Sequence, residues 1–73
     1  MDELRGKIAT IAVDYLIEDI LFLGDPIEIL DQREEKHELL GRRVIIKVKS
    51  LERPEVEKWI WKSEVAFVRD KRR

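Results

Sequence analysis

The chain has 73 residues, 42% of them charged, a net charge of −1 and no cysteine. That length sets one domain over residues 1–73 with a small core, and the absence of cysteine removes disulfides and thiolate metal sites as sources of stability. A single histidine, His37, excludes any motif needing two, no Gly-x-Ser-x-Gly elbow or phosphate loop occurs, and the chain reads as a non-enzyme without cofactor or metal.

Charge is unevenly spread. Residues 1–41 hold 4 basic and 11 acidic side chains, whereas residues 42–73 hold 11 basic and 5 acidic ones. Such halves attract each other within the fold, attract another copy, or present a basic face to a polyanion. The apolar stretch near the N-terminus is interrupted by Asp14 and by Glu18-Asp19, which argues against a membrane span. The chain opens Met-Asp-Glu without a basic leader, so the expectation is a soluble cytoplasmic protein. Abundant charge with no asparagine and one glutamine suggests a thermophile composition.

Residues 2–23 carry two overlapping periods. Glu3, Lys7, Thr10, Asp14 and Glu18 form one polar stripe at helical spacing, with Asp2 as a cap and Gly24 as a stop. Ala9, Ile11, Val13 and Tyr15 also alternate with their neighbours as a strand does, and Gly6 and the β-branched residues disfavour helix. Both readings stay open: an N-terminal helix, or a first strand and loop.

After the turn at Gly24-Asp25-Pro26, Ile27-Glu28-Ile29-Leu30 reads as a short strand, and the charged residues 31–41 as a loop with room for a strand or a helical turn inside it. Glu34, Glu35, His37 and Glu38 in that loop read as solvated side chains rather than a metal site. Residues 43–49 alternate: Val44, Ile46 and Val48 against Arg43, Lys47 and Lys49, with Ile45 as an exception on the basic face. Residues 51–55 with Pro54 form a connection.

Residues 56–68, VEKWIWKSEVAFV, organise the rest. Trp59, Trp61, Val65 and Phe67 alternate with Lys58, Lys62 and Glu64, and Lys62-Ser63-Glu64 divides the run into two strands, with Ser63 placed to start a helical turn. Residues 26–69 are therefore expected to form a small antiparallel barrel or curved sheet, mainly β or α+β according to residues 2–23. Residues 70–73 are expected to be a frayed basic tail.

Ala12-Val13-Asp14-Tyr15, Glu18 to Phe22, Gly24-Asp25, Ile27 to Leu30 and Trp59 to Val68 together resemble the Src-homology-3 (SH3) pattern. The resemblance implies a five-stranded small barrel with a single helical turn at 62–65. Only Tyr15 matches that family's proline-rich groove, and Glu64 stands where the family has tyrosine, which puts polyproline recognition in doubt. With residues 2–23 helical, the chain instead looks like the Sm-like and Hfq-type proteins, which assemble into rings; their glycine-centred second-strand motif is missing.

Tyr15, Trp59 and Trp61 are the candidate partner-binding residues of a self-associating, homo-oligomeric interaction module. The competing reading is a nucleic-acid binder in which Arg42, Arg43, Lys47, Lys49, Lys58 and Lys62 hold phosphates while the tryptophans stack bases. Same-face tryptophans in so small a domain favour the core or an oligomer interface, and Trp59 is expected to be buried against Val44, Ile46 and Val48.

Overall fold

The computed structural model describes residues 3–14 and 21–71. Its strands are β1 (Ile8–Ile11), β2 (Pro26–His37), β3 (Gly41–Ser50), β4 (Glu57–Trp61) and β5 (Val65–Arg69), with a 3-10 turn over Lys62–Glu64 before β5. All pairings are antiparallel, in one open sheet of order β4-β3-β2-β1-β5. The antiparallel sheet expected over residues 26–69 is present, and the fold is mainly β.

The helical reading of residues 2–23 is overturned wherever those residues are described. Gly6 stands at φ +86°, which stops a helix at its start. Ile8–Ile11 then finds backbone partners on both sides, β2 through Ala9 opposite Ile27 and β5 through Ile11 opposite Val65. Pairing along two edges outweighs a polar stripe that offered only solvent-exposed contacts. Tyr15 and the rest of residues 15–20 lie outside the described residues.

Within residues 31–41 the strand alternative holds over most of the segment, and the loop shrinks to the turn at residues 38–40. β2 continues to His37, paired with β3 as far as His37 opposite Gly41. Residues 33–42 are all exposed, so this ribbon is held by its backbone ladder while charged side chains face water on both sides. The turn at Glu38-Leu39-Leu40 is closed by His37, whose Nδ1 accepts the Leu39 and Leu40 N–H groups at 3.1 and 3.2 Å.

One irregularity in β2 sets the inward parity. The register slips between Ile29 and Asp31, so Leu30 is an extra residue and the strand bends there. Before the slip Ile27 and Ile29 are buried; after it Gln32 is. Gln32 then sits in an inward row with Ile46 and Ile60, and its side-chain oxygen accepts the Leu4 N–H. A buried amide is tolerated because it satisfies a buried donor. Leu4, Ala9, Ile11, Leu21, Ile27, Ile29, Ile46, Val48 and Ile60 form the core.

The 3-10 turn falls where the polar break predicted it, with a different cap. Glu64 Oε1, rather than Ser63, accepts the Trp61 N–H at 2.8 Å. The charge asymmetry is met in part within the fold: Arg42–Glu34, Lys49–Glu28, Arg53–Asp25 and Lys71–Glu28 each join a basic residue of the second half to an acid of the first. Among the described residues no helix is long and apolar enough to cross a membrane.

Candidate interaction face around Trp59 and Trp61

β4 is an edge strand of five residues, and its alternation is as the sequence indicates, with the faces reversed. Ile60 points inward, 3% exposed, opposite Ile46. Trp59 lies opposite Lys47 and Trp61 opposite Ile45, both on the outer face with the basic row of β3. The expected burial of Trp59 is therefore corrected: it is 37% exposed. The apolar row Val44, Ile46, Val48 does face the core, and the β4 residue meeting it is Ile60. A narrow interior takes β-branched aliphatics in alternation more readily than two adjacent indoles.

On the outer face, Ile45 is the centre rather than an exception. It is 9% exposed, with Trp61 opposite on one side and Arg33 on the other. The Arg33 guanidinium lies 4.5 Å from the Trp59 ring centroid, and that of Arg43 lies 5.0 Å from the Trp61 centroid. Both are cation–π contacts; the first, between exposed residues, is worth about 0.5–1 kcal/mol, and the second is half-buried. The result is an apolar strip of Trp59, Ile45 and Trp61 under two arginines.

The six cations proposed for phosphate binding do not converge. Arg43, Lys47 and Lys49 share the tryptophan face; Arg42 and Lys58 alternate to the other; Lys62 is in the 3-10 turn. Three already face carboxylates: Arg42 meets Glu34 at 3.2 Å, Lys47 meets Glu57 at 3.6 Å and Lys49 meets Glu28 at 3.8 Å. Only at the end of the face do Arg42, Arg43 and Lys62 meet beside Trp61, around a recess of about 220 Å³. There the Arg43 Nε is buried without a hydrogen-bond partner.

Asp31 flanks the same face opposite Lys47. The Gln32 backbone N–H first, and then the Arg5 guanidinium, hold its carboxyl below the usual range. Glu34 and Glu35 alternate on β2 and are both exposed, and among the described residues no three His, Asp or Glu side chains are placed to hold a metal.

Sequence reasoning missed Arg33 and Ile45. Arg33 belongs to the site only through the β2–β3 register, which no local signal carries. Ile45 did leave a signal, since an isoleucine interrupting a basic row needs cover, and the two tryptophans provide it. Comparison with protein-family models, curated proteins and solved structures gives no match to this chain.

Proposed function

We propose that this chain is an SH3-like small barrel serving as a non-enzymatic protein-interaction module, which self-associates through the face of Trp59, Ile45 and Trp61. Support for the fold comes from the five-strand order and from the 3-10 turn between β4 and β5, where the resemblance requires one. The observation that carries the functional reading is the pair of outward tryptophans on an edge strand, each beneath an arginine. Tryptophan and arginine are the residues that most often anchor interfaces. Both signs of charge rim this patch, Glu35 and Glu57 beside Arg33, Arg43 and Lys47, so a two-fold related copy can set acid against base.

Sedimentation of the parent, Trp59→Ala and Trp61→Ala proteins across the micromolar range tests this. The expected result is a dimer or larger species for the parent and a monomer for the variants, with unchanged circular dichroism. A parent that stays monomeric at high micromolar concentration overturns self-association.

A nucleic-acid reading rests on the recess where Arg42, Arg43 and Lys62 meet Trp61. Titration with labelled single- and double-stranded oligonucleotides at two salt concentrations distinguishes it. Salt-sensitive binding that is lost in Arg43→Ala and Lys62→Ala favours this second reading.

A further inference from the structure

A second, larger recess of about 530 Å³ lies away from the tryptophan strip, where the N-terminal segment meets the start of β3, the 3-10 turn and the end of β5. Its volume falls within the range of small-molecule sites. Leu4, Val44 and Val68 give it an apolar lining. The charged residues around it are Glu3, Lys7, Lys62, Arg69 and Asp70.

The ion pairs already formed decide the sign of the site. Lys7 is held by Asp70 at 2.6 Å, and Glu3 is held by Arg5 at 3.2 Å. Both acids of the lining are thus engaged by cations. Among the described residues, Lys62 and Arg69 meet no carboxylate within ion-pair distance. Arg69 spends one nitrogen, Nη1, on the Phe67 carbonyl at 2.8 Å, which orients the guanidinium and leaves Nη2 and Nε to donate elsewhere. Arg43 adds positive charge next door, since the smaller recess shares Val44 and Lys62 with this one.

We propose that this recess binds a carboxylate attached to an apolar group. The apolar part lies against Leu4, Val44 and Val68, and the carboxylate sits between Arg69 and Lys62. Arginine supplies the planar two-donor fork that matches a carboxylate, and lysine a mobile point charge beside it. A neutral apolar molecule leaves two cations unpaired, and a small bare anion leaves the apolar lining wet. The chemistry has two sources, a free aliphatic acid or the C-terminal residue of a polypeptide. The site is independent of the self-association reading, because none of its lining residues belongs to the Trp59–Ile45–Trp61 strip.

The experiment is an amide NMR titration of the full chain at low salt with octanoate, with 1-octanol, and with a short peptide ending in leucine as free acid or as amide. Octanoate is expected to shift the amides of residues 4, 44, 62, 68 and 69 saturably, and octanol to bind at least about tenfold more weakly. Lys62→Ala/Arg69→Ala, both surface positions, is expected to weaken octanoate about tenfold while its spectrum remains that of the folded chain. Trp59→Ala is expected to leave the titration unchanged, which separates this site from the tryptophan face. Tighter saturation by the free-acid peptide than by octanoate or the amide identifies a polypeptide C-terminus as the source; tighter saturation by octanoate identifies a free acid. Equal binding of octanoate and octanol, shifts centred elsewhere, or no saturable shift in the millimolar range overturns the proposal.

Discussion

Phe67 has the least comfortable backbone among the described non-glycine residues. It stands at φ +56° with 77% of its surface exposed. The cause is a register slip against β1: Thr10 faces Ala66 but Ile8 faces Arg69, so β5 carries one residue more than its partner. A left-handed conformation costs an L-residue about 1–2 kcal/mol, and a ring so exposed returns little of it by burial. Phe67→Gly is therefore expected to raise stability by about 0.5–1 kcal/mol in urea unfolding; a loss would mean that the ring is packed. The two faces of β4 give the complementary test. Ile60→Ala removes a side chain 3% exposed in the core and is expected to cost about 2–4 kcal/mol. Trp59→Ala, though the larger truncation, is expected to cost less, about 1–2 kcal/mol, from its contact with Arg33 and the cover it gives Ile45. If the Trp59 variant unfolds more readily than the Ile60 variant, the inward face of β4 has been misassigned.

Among the elements, β2 decides most, and its slip at Leu30 turns on one side chain. Gln32 brings its amide into the core and accepts the Leu4 N–H there, which ties the N-terminal segment to the second half of the strand. Gln32→Leu keeps the volume but leaves that N–H buried without an acceptor, at an expected cost of about 1–3 kcal/mol. Faster hydrogen exchange at the Leu4 amide, out of proportion to the global loss, is the local signature to measure. This dependence also explains what was legible in the sequence. Alternation in residues 43–49 and 57–61 was readable because one face of each strand is buried. Which face of β4 turns inward was not, because Ile60 interrupts one face while two indoles mark the other, and period two carries parity without sign. Residues 33–37 hid their strand because exposed charges on both sides leave no hydrophobic period. At N-terminal positions two periods overlapped, and only the partners β2 and β5 decided between them. Trp59, Trp61 and Arg43 could therefore be named as candidates from the sequence, the tryptophans for a partner and Arg43 for a phosphate, whereas Arg33 waited on the register.

At the scale of the molecule, the opposed charge halves act as clamps between distant parts of the chain. Glu28 is the most enclosed of these acids, its side chain 13% exposed between Lys49 at 3.8 Å and Lys71 at 3.2 Å. Glu28→Gln is expected to cost about 1 kcal/mol, against less than about 0.5 kcal/mol for Glu34→Gln on the open ribbon, as read by urea midpoints at low salt. Two further clamps hold the N-terminal segment: Arg5 to Asp31 at 2.8 Å and Lys7 to Asp70 at 2.6 Å. Both aspartates are held below the usual carboxylate range, Asp31 by the Gln32 N–H and then Arg5, Asp70 by the Lys7 hydrogen bond. A carboxyl whose pKa is depressed by folding binds its proton more tightly in the unfolded chain. Its contribution is therefore complete above the unfolded value, near 4 on the usual scale, and disappears as pH falls through the lower folded value. Because both groups are solvent-facing, the effect is expected to be small and screened by salt. Urea unfolding at a series of pH values should show stability falling below about pH 4, and the Asp31→Asn/Asp70→Asn variant should show a shallower fall. Equal acid sensitivity in parent and variant would mean that these pairs do not hold the N-terminal segment in solution.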